Sequence, residues 1–113
     1  MAFRSDLDAL ILGVLRNEAL HGYDIAKRIR DLSNKCLKIG EGQLYPTLHR
    51  LEDEGSVQAE WVQQEGKPAR KVYSITPEGT VELDKQQKAW QQFAEGVNQV
   101  FAGKKLIKED LCG

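Results

Sequence analysis

Gln43, Tyr45, His49 and Arg50 fall within one short stretch, "GQLYPTLHR", and bring an amide, a phenol, an imidazole and a guanidinium together. Those groups favour recognition over bond making. Gln and Arg carry forked donors that match adenine and guanine edges, and a tyrosine hydroxyl suits a phosphate oxygen. Further along, Lys67, Arg70 and Lys71 form a basic cluster opposed only by Glu65. No paired carboxylates, nucleophile–base pair or phosphate-cradling loop accompanies them, so the chain is not expected to be an enzyme. His21, His49 and Cys36 lack metal-ligand spacing, and neither a metal nor a cofactor is expected.

The stretch must be held by a helix. Leu44, Leu48 and Leu51 recur at i, i+4, i+7 and fall within about 40° of one another at 100° per residue. Gly42, Pro46, His49, Arg50 and Asp53 then occupy the opposite side, with Gln43 at its margin and Tyr45 flanking. Pro46 is read as lying near the helix start, where amides lack intrahelical partners and a missing N–H costs little. Gly55 is the expected C-cap.

Two helices precede this one. Ser5 caps the first, whose stripe of Leu7, Leu10, Ile11, Val14 and Leu15 predicts a helix over 6–17. The second is predicted over 22–33, with Ile25, Ile29 and Leu32 inward and His21 making a structural hydrogen bond at its start. After Gly55 the period changes. Val57, Ala59 and Trp61 alternate with polar residues as on a half-buried strand, which places Trp61 in the core. "QQEGKPA" reads as a polar turn, and residues 71–76 as the returning strand. The pair makes a β-hairpin with a basic tip.

Thr76-Pro77-Glu78 opens a last helix running to Phe101, roughly 39 Å long. Its apolar residues keep a seven-residue spacing, Leu83–Trp90–Val97 and Phe93–Val100. Such a seam wants a partner helix that the rest of the chain cannot supply. A homodimer is therefore expected, with Leu7, Leu10, Leu83, Trp90, Phe93, Val97, Val100 and Phe101 at its interface. Gly96 implies either a close helix crossing or a kink.

The bulk properties fit one modest domain. The chain has 113 residues, 41% apolar and 29% charged, with a net charge of −1. Charge is uneven, however: residues 16–50 hold seven Lys/Arg against four acids, a local excess of +3. A phosphate backbone senses such local excess over about one Debye length, roughly 8–10 Å. Cys36 and Cys112 make no disulfide framework. No apolar run approaches a membrane span and no signal segment is evident, so a cytoplasmic protein is expected.

Three helices, a hairpin and a long helix form a mainly α fold with a small β-hairpin, the connectivity of a winged helix-turn-helix. In that fold the third helix enters the major groove. The segments "LDALILGVL", "HGYDIAKRI", "GQLYPTLHRLEDEGSV" and "GKPARKVYSITPEG", with a Trp-containing last helix, resemble the PadR family of bacterial transcriptional regulators, in its short subfamily. The match is collinear over about residues 7–101. It implies a DNA-binding domain over 1–76, a dimerisation helix over 77–103 and a tail over 104–113. It further implies a homodimeric repressor on a two-fold-related operator in double-stranded DNA. Gln43, Tyr45 and Pro46 would be presented to the DNA, with Tyr23, His49 and Arg50 beside them, and Lys67, Arg70 and Lys71 on phosphates. Some members take a small aromatic or apolar effector near the dimer centre. Here Trp90, with Leu10, Val14 and Phe93, would line that site, although Trp90 serves equally as interface packing. The rival reading is a winged-helix protein–protein interaction module without DNA or effector binding.

Overall fold

The computed structural model describes residues 6–103; the proposed Ser5 cap, Cys112 and the tail over 104–113 lie outside them. In chain order the elements are α1 (Asp6–Leu15), β1 (Leu20–His21), α2 (Gly22–Leu32), α3 (Glu41–Asp53), β2 (Val57–Gln64), β3 (Lys67–Ile75) and α4 (Pro77–Phe101). The sheet has three antiparallel strands in the order β1-β3-β2. One face of each helix meets in a single core, in which Ile11, Leu12, Ile25, Leu44, Leu48, Leu51 and Val57 are fully buried. Truncating any such Leu or Ile to Ala typically costs about 2–5 kcal/mol, so the three α3 leucines fix that helix firmly.

Helix ends follow their sequence signals. α3 closes in a Schellman motif: Ser56 N–H donates to the Leu51 carbonyl at 2.9 Å and Gly55 N–H to Glu52 at 3.1 Å. Gly55 takes φ +83°, which glycine adopts at little cost. His21 is the N-cap of α2, its Nδ1 accepting the Tyr23 N–H at 3.2 Å. Thr76 caps α4 by accepting the Gly79 N–H at 3.0 Å, while its own hydroxyl donates to the Gly55 carbonyl at 2.6 Å. A Cβ on Gly79 would stand 2.0 Å from the Ser56 carbonyl oxygen. The start of α4 is thus seated directly on the end of α3.

Several expectations are corrected. β1 escapes a periodicity reading because it has two residues, Leu20 and His21, paired with Tyr73 and Val72. The wing strands run further than expected, and Gln64 pairs with Lys67, so only Glu65 and Gly66 remain for the turn. Trp61 is 70% exposed rather than in the core. It shares a side of β2 with buried Val57, but on that side burial falls from Val57 through half-buried Ala59 to exposed Trp61. Leu32, expected inward, is 72% exposed because it is the last residue of α2. Pro46 lies inside α3, beyond the four amides that open a helix. The ring therefore forgoes the bond that an N–H at this position would make to the Gly42 carbonyl.

Candidate nucleic-acid interface

The outer side of α3 is open. Gln43, Pro46, His49 and Arg50 are exposed, and no other described element covers Gly42. Tyr45 differs from them because it flanks the helix. A Cβ on Gly22 would stand 2.6 Å from Tyr45 Cε1, so the phenol ring lies flush against the start of α2 and a larger residue there would have to displace it. Burial there raises the Tyr45 pKa, and Glu41 and Tyr73 push the same way. The phenol stays protonated at neutral pH and remains a hydrogen-bond donor. Tyr23, 60% exposed, stands at the same corner.

Arg50 is held differently from the way its position in the sequence implied. Its guanidinium donates to Asp8 of α1 and to Glu54 at 3.2 Å, and chiefly the hydrogen bond to Asp8 raises its pKa. It therefore ties α3 to α1. The wing cations are also engaged. Arg70 Nη2 donates to Asp24 Oδ2 at 3.1 Å. With its amide oriented to satisfy its neighbours, Gln64 accepts two further bonds from Arg70 at 3.1 Å. Lys71 Nζ pairs with Glu52 at 3.3 Å and sits 5.4 Å from the Tyr73 ring centroid. Burial acts to lower the Lys71 pKa, but Glu52 and Tyr73 outweigh it and the net shift is upward. Among the described residues, Lys67 is the wing cation with no ion pair.

On the other side of the domain, α1, α4 and the α2–α3 linker enclose a groove of about 450 Å³, lined by Leu10, Gly13, Leu37, Leu83 and Trp90. Arg16, Gln86 and Gln87 supply polar groups there, with Arg16 Nη2 at 3.4 Å from Gln87 Oε1. Leu10 and Trp90 meet here as expected. Val14 lines a neighbouring groove instead, and Phe93 lies further along α4 in a groove with Val97, Val100 and Phe101. The Trp90 and Phe93 rings are 5.9 Å apart. Leu37 was missed because it sits in a linker that reads as loop. Of the residues expected at a dimer seam, Leu83 is 4% exposed within its own core and has little surface left to offer.

A family model for the PadR-like transcriptional regulators matches residues 11–85. The chain belongs to the PadR-like family. It is 35% identical over 89 residues to a transcriptional regulator of Mycobacterium tuberculosis, covering 79% of this chain and 82% of that one. It is 36% identical over 73 residues to the negative transcriptional regulator PadR of Bacillus subtilis, covering 65% of this chain and 40% of that protein. Among solved structures, a transcriptional regulator from Clostridium thermocellum superposes with a TM-score of 0.78 at 29% identity, over 85% of this chain and 93% of its own. Bacillus subtilis PadR in complex with operator DNA gives 0.64 at 34% identity, over 70% and 45%. The winged-helix fold and the place of this PadR-like chain among transcription regulators follow. No helix among the described residues is long and apolar enough to cross a membrane.

Proposed function

We propose that this PadR-like protein is a homodimeric, sequence-specific repressor that reads duplex DNA with the outer side of α3. The observation that carries this reading is that side itself: three buried leucines pin the helix, while Gln43, Pro46 and His49 stand uncovered opposite them. Gln43 reads an adenine edge, and Tyr45 and Tyr23 donate to phosphates. Pro46 and Gly42 keep this surface low, so the backbone of α3 approaches the groove closely. Arg50, held by Asp8 and Glu54, positions α3 and does not read a base. The operator-bound state of Bacillus subtilis PadR, and its name as a negative regulator, support DNA binding and repression here.

Pairing is supported by the second half of α4. Val100 and Phe101 are exposed, and among the described residues nothing beyond the helix's own backbone comes within 4 Å of a Cβ on Gly96. Gly96 then marks where a partner helix crosses. A small aromatic or apolar effector fits the Trp90 groove, whose volume falls in the usual range of roughly 300–1,000 Å³ for ligand pockets. Because Thr76 and Gly79 seat α4 on α3, a ligand that re-angles α4 changes the separation of the two recognition helices. Half-sites lie about 34–36 Å apart, so a ligand that favours another spacing releases the operator.

Gln43→Ala tests base reading. Operator affinity should fall by about 1–3 kcal/mol while affinity for random duplex holds. Equal losses on both would remove Gln43 from the base-reading set. Arg50→Ala and Asp8→Ala should instead weaken operator binding to the same extent, as two halves of one tie. For the effector, planar aromatic compounds are titrated while Trp90 fluorescence is followed in a Trp61→Phe background. A Trp90→Ala dimer that is still released by the same compound would overturn the groove assignment.

A further inference from the structure

The strongest unpaired positive charge of the described residues is carried by neither α3 nor the wing. Lys27 and Arg30 of α2, with Lys35 and Lys38 of the linker, line an open cavity of about 510 Å³. Tyr23 and Glu41 stand at its edges, and Glu41 is the one acid that lines it. Lys27, Lys35 and Lys38 have no ion pair among the described residues, and Arg30 has only its neighbour Asp31, at 3.6 Å. The remaining cation of α2, Arg28, is bound to Glu18 and does not line the cavity.

The linker is shaped to bring its lysines there. Asn34 and Lys35 both take left-handed backbone, φ +55° and +67°, an arrangement rare for residues other than glycine. Lys35 N–H donates to the Arg30 carbonyl at 2.8 Å, and Leu37 N–H to Ser33 Oγ at 3.0 Å, which fixes the turn. Strain of this kind persists only where the surroundings impose it.

We infer that this cavity is a second DNA-backbone site, which holds phosphates of the duplex beyond the base pairs read by α3. Two observations favour a DNA strand as occupant. The cations are spread over two elements, Lys27 and Arg30 on α2 and Lys35 and Lys38 on the linker that follows it. The cavity also runs into the proposed reading surface, since Tyr23 borders it on α2 and Glu41 borders it on the first turn of α3. This site, more than the wing, then sets the salt dependence of binding, because acids already neutralise Arg70 and Lys71 while three of the four cavity cations are unpaired.

The inference rests on the DNA-binding reading, and the experiment separates the two. Affinity for operator and for random duplex is measured from low to high salt for the full chain and for Lys27→Ala, Lys35→Gly, Lys38→Ala and Arg70→Ala. Each cavity substitution should lower both affinities by the same factor, roughly three- to tenfold, and flatten the log–log salt slope by about 0.9. Arg70→Ala should change the slope less. Lys35→Gly also relieves the left-handed turn, so its melting temperature should rise while its DNA affinity falls, a split that misfolding cannot produce. Wild-type slopes in all three cavity variants would overturn the inference and leave the α3 reading intact. Failure of the wild-type chain to bind any duplex would overturn that reading itself. Unchanged slopes with a melting shift caused by inorganic phosphate would assign the cavity to a small anion, which also overturns the DNA assignment.

Discussion

The two halves of α4 follow the same seven-residue pattern and meet opposite fates. The first half is built into the domain: Thr76 bonds to Gly55, Gly79 rests on the Ser56 carbonyl, and Leu83 is buried. The second half offers the same kinds of residue to solvent, and Phe101 is 81% exposed. Periodicity alone cannot separate them, since a seam looks alike whether its partner is α1 or another chain. The difference is one of reach. α4 has 25 residues and spans about 38 Å, while α1 has 10 and covers about 15 Å. What α1 leaves uncovered is available for assembly.

Substitutions along the helix should divide at that point. Leu83→Ala should cost about 2–5 kcal/mol in unfolding free energy by denaturant titration, because it empties a core position. A loss below 1 kcal/mol would mean that the first half is not integral to the fold. Gly79→Ala should cost about 1–3 kcal/mol, since the added methyl meets backbone and not a movable side chain. Phe101→Ser should change the stability of a dilute, unassembled chain by less than about 0.5 kcal/mol while shifting the oligomeric state in sedimentation. Gly96→Ala sharpens the contrast further. Helix propensity alone predicts a gain of up to about 1 kcal/mol, whereas a partner crossing at Gly96 predicts a weaker dimer.

How far the sequence spoke depended on whether a pattern had room to repeat. α4 was legible to its end residues because Thr76-Pro77-Glu78 marks the start and the seam continues to Phe101. The buried side of α3 was equally clear from three leucines. β1 was invisible because two residues carry no period, and Trp61 was misplaced because alternation reports a side of a strand and not where the core ends. The candidate interface was half legible. The types and order of Gln43, Tyr45, Lys67 and Arg70 pointed to DNA, but their partners lie far away in sequence. Asp8 for Arg50, Asp24 for Arg70 and Glu52 for Lys71 come from other elements, so only the fold shows which cations are already occupied. The excess charge of residues 16–50 was visible as a sum. Its concentration in one cavity depends on a left-handed turn at Asn34 and Lys35 that no local glycine announces.

The central claim is that a dimer of this chain reads one operator with two α3 helices. The most direct test measures binding to duplex DNA from immediately upstream of the protein's own gene, at several salt concentrations, with the mass of the complex determined alongside. The account predicts two chains per site, a protected region with two-fold symmetry, and affinity above random duplex by at least about a thousandfold. Equal affinity for operator and random duplex, or one chain per site, would contradict it.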